Sequence, residues 1–263
     1  MSMLSLFLFF LKCFLRSRRM FWMMLLGLVP VFYVIMVYLL KPIALEDTFS
    51  ISGVFPKLAF SMYLHFLLPL TAVFIGTSVI IDEVESATLP YLLVRPLPRW
   101  QVVFAKILAS ELLLAAILSG SLTLSFGLMS LDGGMRDVCP VGSFSSAALV
   151  LTAGCFTYVP IFSFLGGTIK KPVLTGLLFT FGWEKIVGSL PGSLRFSTLI
   201  YYLNSLFPFK EKAEASNMFS LLRANTSTVS AWKAILVLLI FSLVFHWLTN
   251  SLLSWKEYAH EEE

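Results

Sequence analysis

The chain has 263 residues, 58% of them apolar and only 13% charged, with a formal net charge of +4 and a mean hydropathy of +0.87. Soluble domains carry about 25% charged residues, so a water-soluble globular fold is excluded. The small basic excess is spread along the edges of apolar runs, which points to a lipid bilayer and away from nucleic acid as the partner.

The first nineteen residues place an apolar stretch, MLSLFLFFLKCFL, ahead of the basic RSRR. A secretory signal has the opposite order and a small-residue cleavage site. The apolar part is also too short to cross about 30 Å of hydrocarbon. Residues 1–19 therefore read as a retained helix lying in the cytoplasmic interface, its basic end among headgroups.

Six spans follow: Met20 to Leu40, Ala59 to Ile81, Val102 to Phe126, Phe144 to Leu165, Pro172 to Leu190 and Ala231 to Ser254. Backbone groups in lipid must find their partners within the segment, so each run is a helix. The expected fold is an all-α polytopic membrane protein, one domain over residues 1–263. Its additions are the interfacial helix, a cytoplasmic coupling helix and short outer re-entrant helices. Lys12, Arg16, Arg18 and Arg19 precede the first span, and Arg95, Arg99, Lys106, Lys170 and Lys171 mark later connections. This bias places both termini in the cytoplasm of a bacterial cytoplasmic (inner) membrane, although Lys185, Arg195, Lys210, Lys212 and Arg223 on the outer side dilute it. Three cysteines (Cys13, Cys139, Cys155) fall in different compartments, so no structural disulfide is expected. No metal-ligand spacing occurs.

Between the second and third spans, residues 82–101 form a charged insertion broken by Pro90, Pro96 and Pro98. Val84, Ala87, Thr88, Tyr91 and Leu92 recur at helical spacing, which predicts a short amphipathic helix. Pro98 suits the first turn of the third span. A short helix held by rigid flanks can act as a lever on two spans; a solvated loop that only fixes topology is the plainer alternative.

Here the sequence resembles a known family. DEVESATLPYLLVRPLPRWQVVFAKILA is similar to the segment after the second span in permease subunits of ABC transporters of the type-2 exporter class. That pattern has an acidic pair, a Gly-Thr step, two leucines, Arg or Thr before Pro, then an arginine and a lysine. The chain supplies Glu83 and Glu85, Thr88, Leu92 and Leu93, Arg95 with Pro96, Arg99 and Lys106. It departs at Ala87, where the family usually has glycine. A second stretch, GWEKIVGSLPGSLRFSTLIYYLNSL, resembles the family's fifth span running into a Pro-Gly turn and a short outer helix. The resemblance implies an ATP-driven exporter in which Glu83, Glu85, Thr88, Leu92, Leu93, Arg95, Pro96 and Arg99 couple to a separate ABC ATPase subunit. A second permease, a copy or a paralogue, would complete the translocation path. The chain has no G-x-x-x-x-G-K-[ST] phosphate loop, so no cofactor is expected in it; ATP and Mg would sit in the partner, and no catalytic residue is assigned here. The alternatives are an intramembrane enzyme and a secondary transporter. Neither a Gly-x-Ser-Gly nor an H-E-x-x-H motif occurs for the first, and no internal repeat supports the second.

Two further groups complete the expectation. On the outer side, residues 183–230 read as a helical hairpin and loop, with Arg195 to Phe207 as one helix after the Pro191-Gly192 turn. Trp183, Glu184, Pro191, Gly192, Arg195 and Tyr201 are the candidate outer gate; an interfacial anchor is the equal alternative. Inside the spans lie Glu111 and His246, each about 12 to 14 Å from the inner surface at ~1.5 Å per residue. Whether they meet or are each satisfied locally is left open by the sequence.

Overall fold

The computed structural model describes residues 3–40, 54–85, 99–130, 140–189, 193–209 and 229–258, all of them helical or connecting. Helix α1 (Met3–Leu15) leads into α2 (Arg18–Leu40). A second path runs through α3 (Val54–Lys57), a π-helical stretch (Leu58–Leu67) and α4 (Leu68–Glu85). Long helices α5 (Arg99–Ser130) and α6 (Val141–Thr168) follow. The next path is α7 (Pro172–Leu177), a second π stretch (Leu178–Glu184) and α8 (Lys185–Ser189). A 3₁₀ turn (Ser193–Ser197), the short α9 (Leu199–Leu206) and α10 (Ala231–Tyr258) complete the described fold.

Among the described residues five helices, not six, are long and apolar enough to cross a membrane. The difference is the expected fifth span. Pro172 to Ser189 is helical throughout, but it changes from α to π and back, and Glu184 with Lys185 breaks its apolar run. The other five runs keep their charges outside the apolar window or, like Glu111 in α5, carry one alone.

Helix α1 does more than float in an interface. Leu6 and Phe10 are buried against Ala105 and Ala109 of α5, with Phe7, Phe14 and Val102 packed around them. Alanines on α5 leave a flat strip onto which the larger α1 side chains fit. A turn at Arg16 and Ser17 separates α1 from α2, and the Ser17 hydroxyl accepts the Met20 N–H at 3.2 Å, an N-cap for α2.

The core is the crossing of α4 and α6. A Cβ at Gly76 would lie 2.7 Å from Phe162 Cβ and 2.8 Å from the Val159 carbonyl oxygen, and one at Gly166 would lie 2.8 Å from the Thr77 carbonyl oxygen. The missing side chains let the two backbones touch, and Ser163 donates to the Gly76 carbonyl at 3.1 Å across the seam. Glycines 154, 166 and 167 suit close helix approach to another subunit in the sequence. In the structure they are spent inside the chain: Gly154 faces Leu68 and Leu203, Gly166 faces Thr77, and Gly167 faces Leu252 and Ile80.

Helix α10 docks on α6 where a proline has opened it. Pro160 has no N–H, so the Phe156 carbonyl four residues earlier loses its helical donor. The Ser242 hydroxyl of α10 donates to that carbonyl at 2.8 Å. In a medium without water such a replacement is what makes a mid-helix proline tolerable.

Candidate functional site

Three polar clusters lie among the apolar helices. The best partnered is centred on Glu184, the last residue of the second π stretch, 2% exposed. One carboxylate oxygen accepts the hydroxyl of Tyr158 in α6. The other accepts the Leu199 N–H at 3.2 Å. Leu199 opens α9, whose N-cap Thr198 is extended and makes no side-chain cap, its hydroxyl donating instead to the Arg195 carbonyl at 2.7 Å. Glu184 therefore caps α9 from a different element, and a carboxylate at a helix N-terminus also meets the positive end of the dipole.

This clasp fixes α9 against the bundle. Leu199, Ile200 and Leu203 of α9 are buried, and Leu203 reaches Gly154, halfway along α6. The expected single helix from Arg195 to Phe207 is thus two pieces broken at Thr198, because that residue leaves the helical region to present Leu199 to Glu184. Of the other candidate gate residues, Trp183 is half exposed on the same π stretch. The Arg195 guanidinium lies over the rings of Phe196 and Tyr201, at 5.4 and 5.1 Å. Beside it the Tyr202 hydroxyl donates to the Phe196 carbonyl at 2.9 Å. Burial, then the neighbouring Tyr201, holds the Tyr202 phenol above its ordinary value. Pro191 and Gly192 lie outside the described residues.

The second cluster is the pair read from depth alone. Glu111 of α5 is fully buried, and its Oε1 stands 3.3 Å from Nε2 of His246 in α10. His246 is also satisfied locally, its Nδ1 2.9 Å from the Ser242 carbonyl. The two side chains stand next to each other, and only His246 has a local partner; neither Glu111 oxygen has a hydrogen bond among the described residues.

The third cluster escapes sequence reading. Tyr63, in the first π stretch, shares its hydroxyl with Ser121 at 2.8 Å and Ser125 at 2.9 Å, and Ser121 donates to the Gly27 carbonyl of α2. The i, i+4 spacing of Ser121 and Ser125 on one face of α5 is the available signal; their partner 58 residues away is not.

The coupling candidates are less visible. Glu83 and Glu85 fall on the last turn of α4, and Arg99 opens α5. Thr88, Leu92, Leu93, Arg95 and Pro96 lie outside the described residues. What is placed is the frame: α4 ends at Glu85 and α5 begins at Arg99. Among the described residues no group of His, Cys, Asp or Glu could hold a metal ion.

The family model described as ABC-2 family transporter protein matches residues 10–183, two thirds of the chain, including the whole 82–101 insertion. The chain belongs to the ABC-2 family of transporter proteins. No curated protein matches it. As an ABC-2 protein it is an ABC transporter permease, an integral membrane component that is not itself catalytic and belongs with an ABC ATPase. The match stops one residue short of Glu184, so the clasp's carboxylate, α9 and α10 lie beyond it.

Proposed function

We propose that this permease is the transmembrane subunit of an ATP-driven exporter, working with a second permease, a copy or a paralogue, and with a separate ATPase that binds ATP and Mg. Both termini face the cytoplasm of a bacterial inner membrane, with Pro172 to Ser189 as the sixth, shorter crossing. The observation that carries the reading is that the two helices bounding residues 86–98, α4 and α5, both belong to the packed core. α4 is bound to α6 by backbone contact at Gly76 and Gly166, so a displacement of the end of α4 by a closing ATPase is passed to the core. The segment from Glu184 to Leu206 then acts as the outer closure of the path, its re-entry supported by the depth of Leu203 at Gly154.

Replacing Glu85 or Arg95 tests it. A lost charged contact costs roughly 1.5 to 3 kcal/mol, so transport-linked ATP turnover should fall about tenfold or more while membrane insertion is unchanged. Normal turnover and transport in both variants would return the segment to a topology signal.

A further inference from the structure

Helices α5 and α10 meet at a contact between two acceptors. His246 Nδ1 lies 2.9 Å from the Ser242 carbonyl; a carbonyl oxygen only accepts, so Nδ1 carries the hydrogen. The other ring nitrogen is then bare in the neutral imidazole, and it faces Glu111 Oε1 at 3.3 Å. Neither Glu111 oxygen nor His246 Nε2 has an aligned hydrogen bond among the described residues. The carboxyl is fully buried, and the imidazole is 12% exposed.

Proton counting decides what completes the contact. With no further proton the pair carries −1 and two lone pairs confront each other. With one, it is net neutral whether the proton sits on oxygen or nitrogen. With two it carries +1. A hydrocarbon interior selects the neutral form. We propose that Glu111 and His246 form a one-proton binding site inside the membrane, whose occupancy fastens α10 to α5.

Within the site the proton moves from Glu111 Oε1–H to His246 Nε2, leaving carboxylate and imidazolium, and back. On release the O–H or N–H bond breaks and the proton passes to a water molecule admitted as α10 shifts from α5, on the side where the Phe104 ring flanks His246 at 5.5 Å. The pair is left at −1, and α10 is then held to α6 by the Ser242 hydroxyl on the Phe156 carbonyl. Of the titratable groups on the surrounding elements, Cys155 of α6 is near enough to interact with Glu111 electrostatically. Tyr158 of α6 is engaged with Glu184. Lys106 stands five residues toward the cytoplasmic end of α5, and α1, packed on α5, brings Lys12 and Cys13. The described side chains of α4 include no acid or base.

The test uses the full chain in lipid nanodiscs with nitrogen-15 histidine, where three histidines give separable ring signals. Spin labels go at the exposed Leu112 and Trp247, each beside one partner. From mildly acid to mildly alkaline solution, the His246 ring should lose its shared proton and the label distance should lengthen together. In Glu111→Gln the amide still donates to Nε2 but has no proton to release, so ring and distance should stay fixed over the same range. Should that variant fail to insert, His246→Gln carries the same expectation for the distance. A wild-type distance that does not change, or a response in the variant identical to wild type, would overturn the proposal.

Discussion

Glu184 ends a π-helical turn with one oxygen on the Tyr158 hydroxyl and the other on the Leu199 N–H, whereas Glu111, as deeply buried, faces a single imidazole. Both carboxyls were removed from water by helix packing. The first was given donors that belong to the fold, one phenol and one backbone amide, so its partners are present whenever the helices are. The second was given another acceptor, and its contact is complete only with a proton from outside. A buried acid with built-in donors holds structure; one without them depends on conditions.

That contrast sets the order of expected effects. Glu184→Leu leaves a buried hydroxyl and a buried amide unpaired, at about 1 to 3 kcal/mol each. Thermal unfolding in nanodiscs should show a loss of about 2 to 6 kcal/mol, and cysteines placed from Arg195 to Phe207 should become open to an impermeant thiol reagent. Unaltered labelling would mean that α9 is held by its apolar face alone. For the other acid, Glu111→Leu alone should cost about 1 to 3 kcal/mol through the orphaned ring. The double change Glu111→Leu with His246→Leu should restore that stability or exceed it, since replacing a buried pair by packed apolar residues is neutral or stabilising by about 1 to 4 kcal/mol. A double variant less stable than the single one would erase the distinction between the two acids. The smallest effect is Ser242→Ala, which removes a neutral hydroxyl from the Phe156 carbonyl. Membrane hydrogen bonds of this kind average about 0.6 kcal/mol, so a shift well above about 2 kcal/mol in unfolding would show that α10 relies on it more than on packing.

What could be read in advance follows the same physics. Five apolar runs became long helices because the thickness of hydrocarbon is fixed and hydropathy records it. Depth was legible too, since rise per residue is constant; it placed Glu111 and His246 at one level. Rotation about the helix axis was not, and rotation decides whether two residues at one level touch. The π stretches left no trace in apolar periodicity, because a shift from i+4 to i+5 bonding keeps composition unchanged. With Pro69 shortly after the first of them, and Glu184 closing the second, each is clear only once the backbone is seen. The partners of Glu184 lay beyond sequence reading for a similar reason. Tyr158 is 26 residues away, and the Leu199 amide has no side chain to advertise it.

The proline opening in α6 has a consequence for assembly. A chain is synthesised from its N-terminus, so α6 enters the bilayer well before α10 exists. Until then the Phe156 carbonyl has neither its own helical donor nor Ser242. The bundle made from the earlier helices is therefore unfinished at one defined point along α6, and the later α10 supplies the missing hydroxyl. Thr249, seven residues on, gives its hydroxyl to Phe245 of its own helix at 2.7 Å and lies buried beside the Pro160 carbonyl four residues further along α6. The Ser242 contact sets the height at which α10 comes to rest, so a nascent chain ended before Ala231 would present that carbonyl to whatever lipid or insertion factor lies beside it.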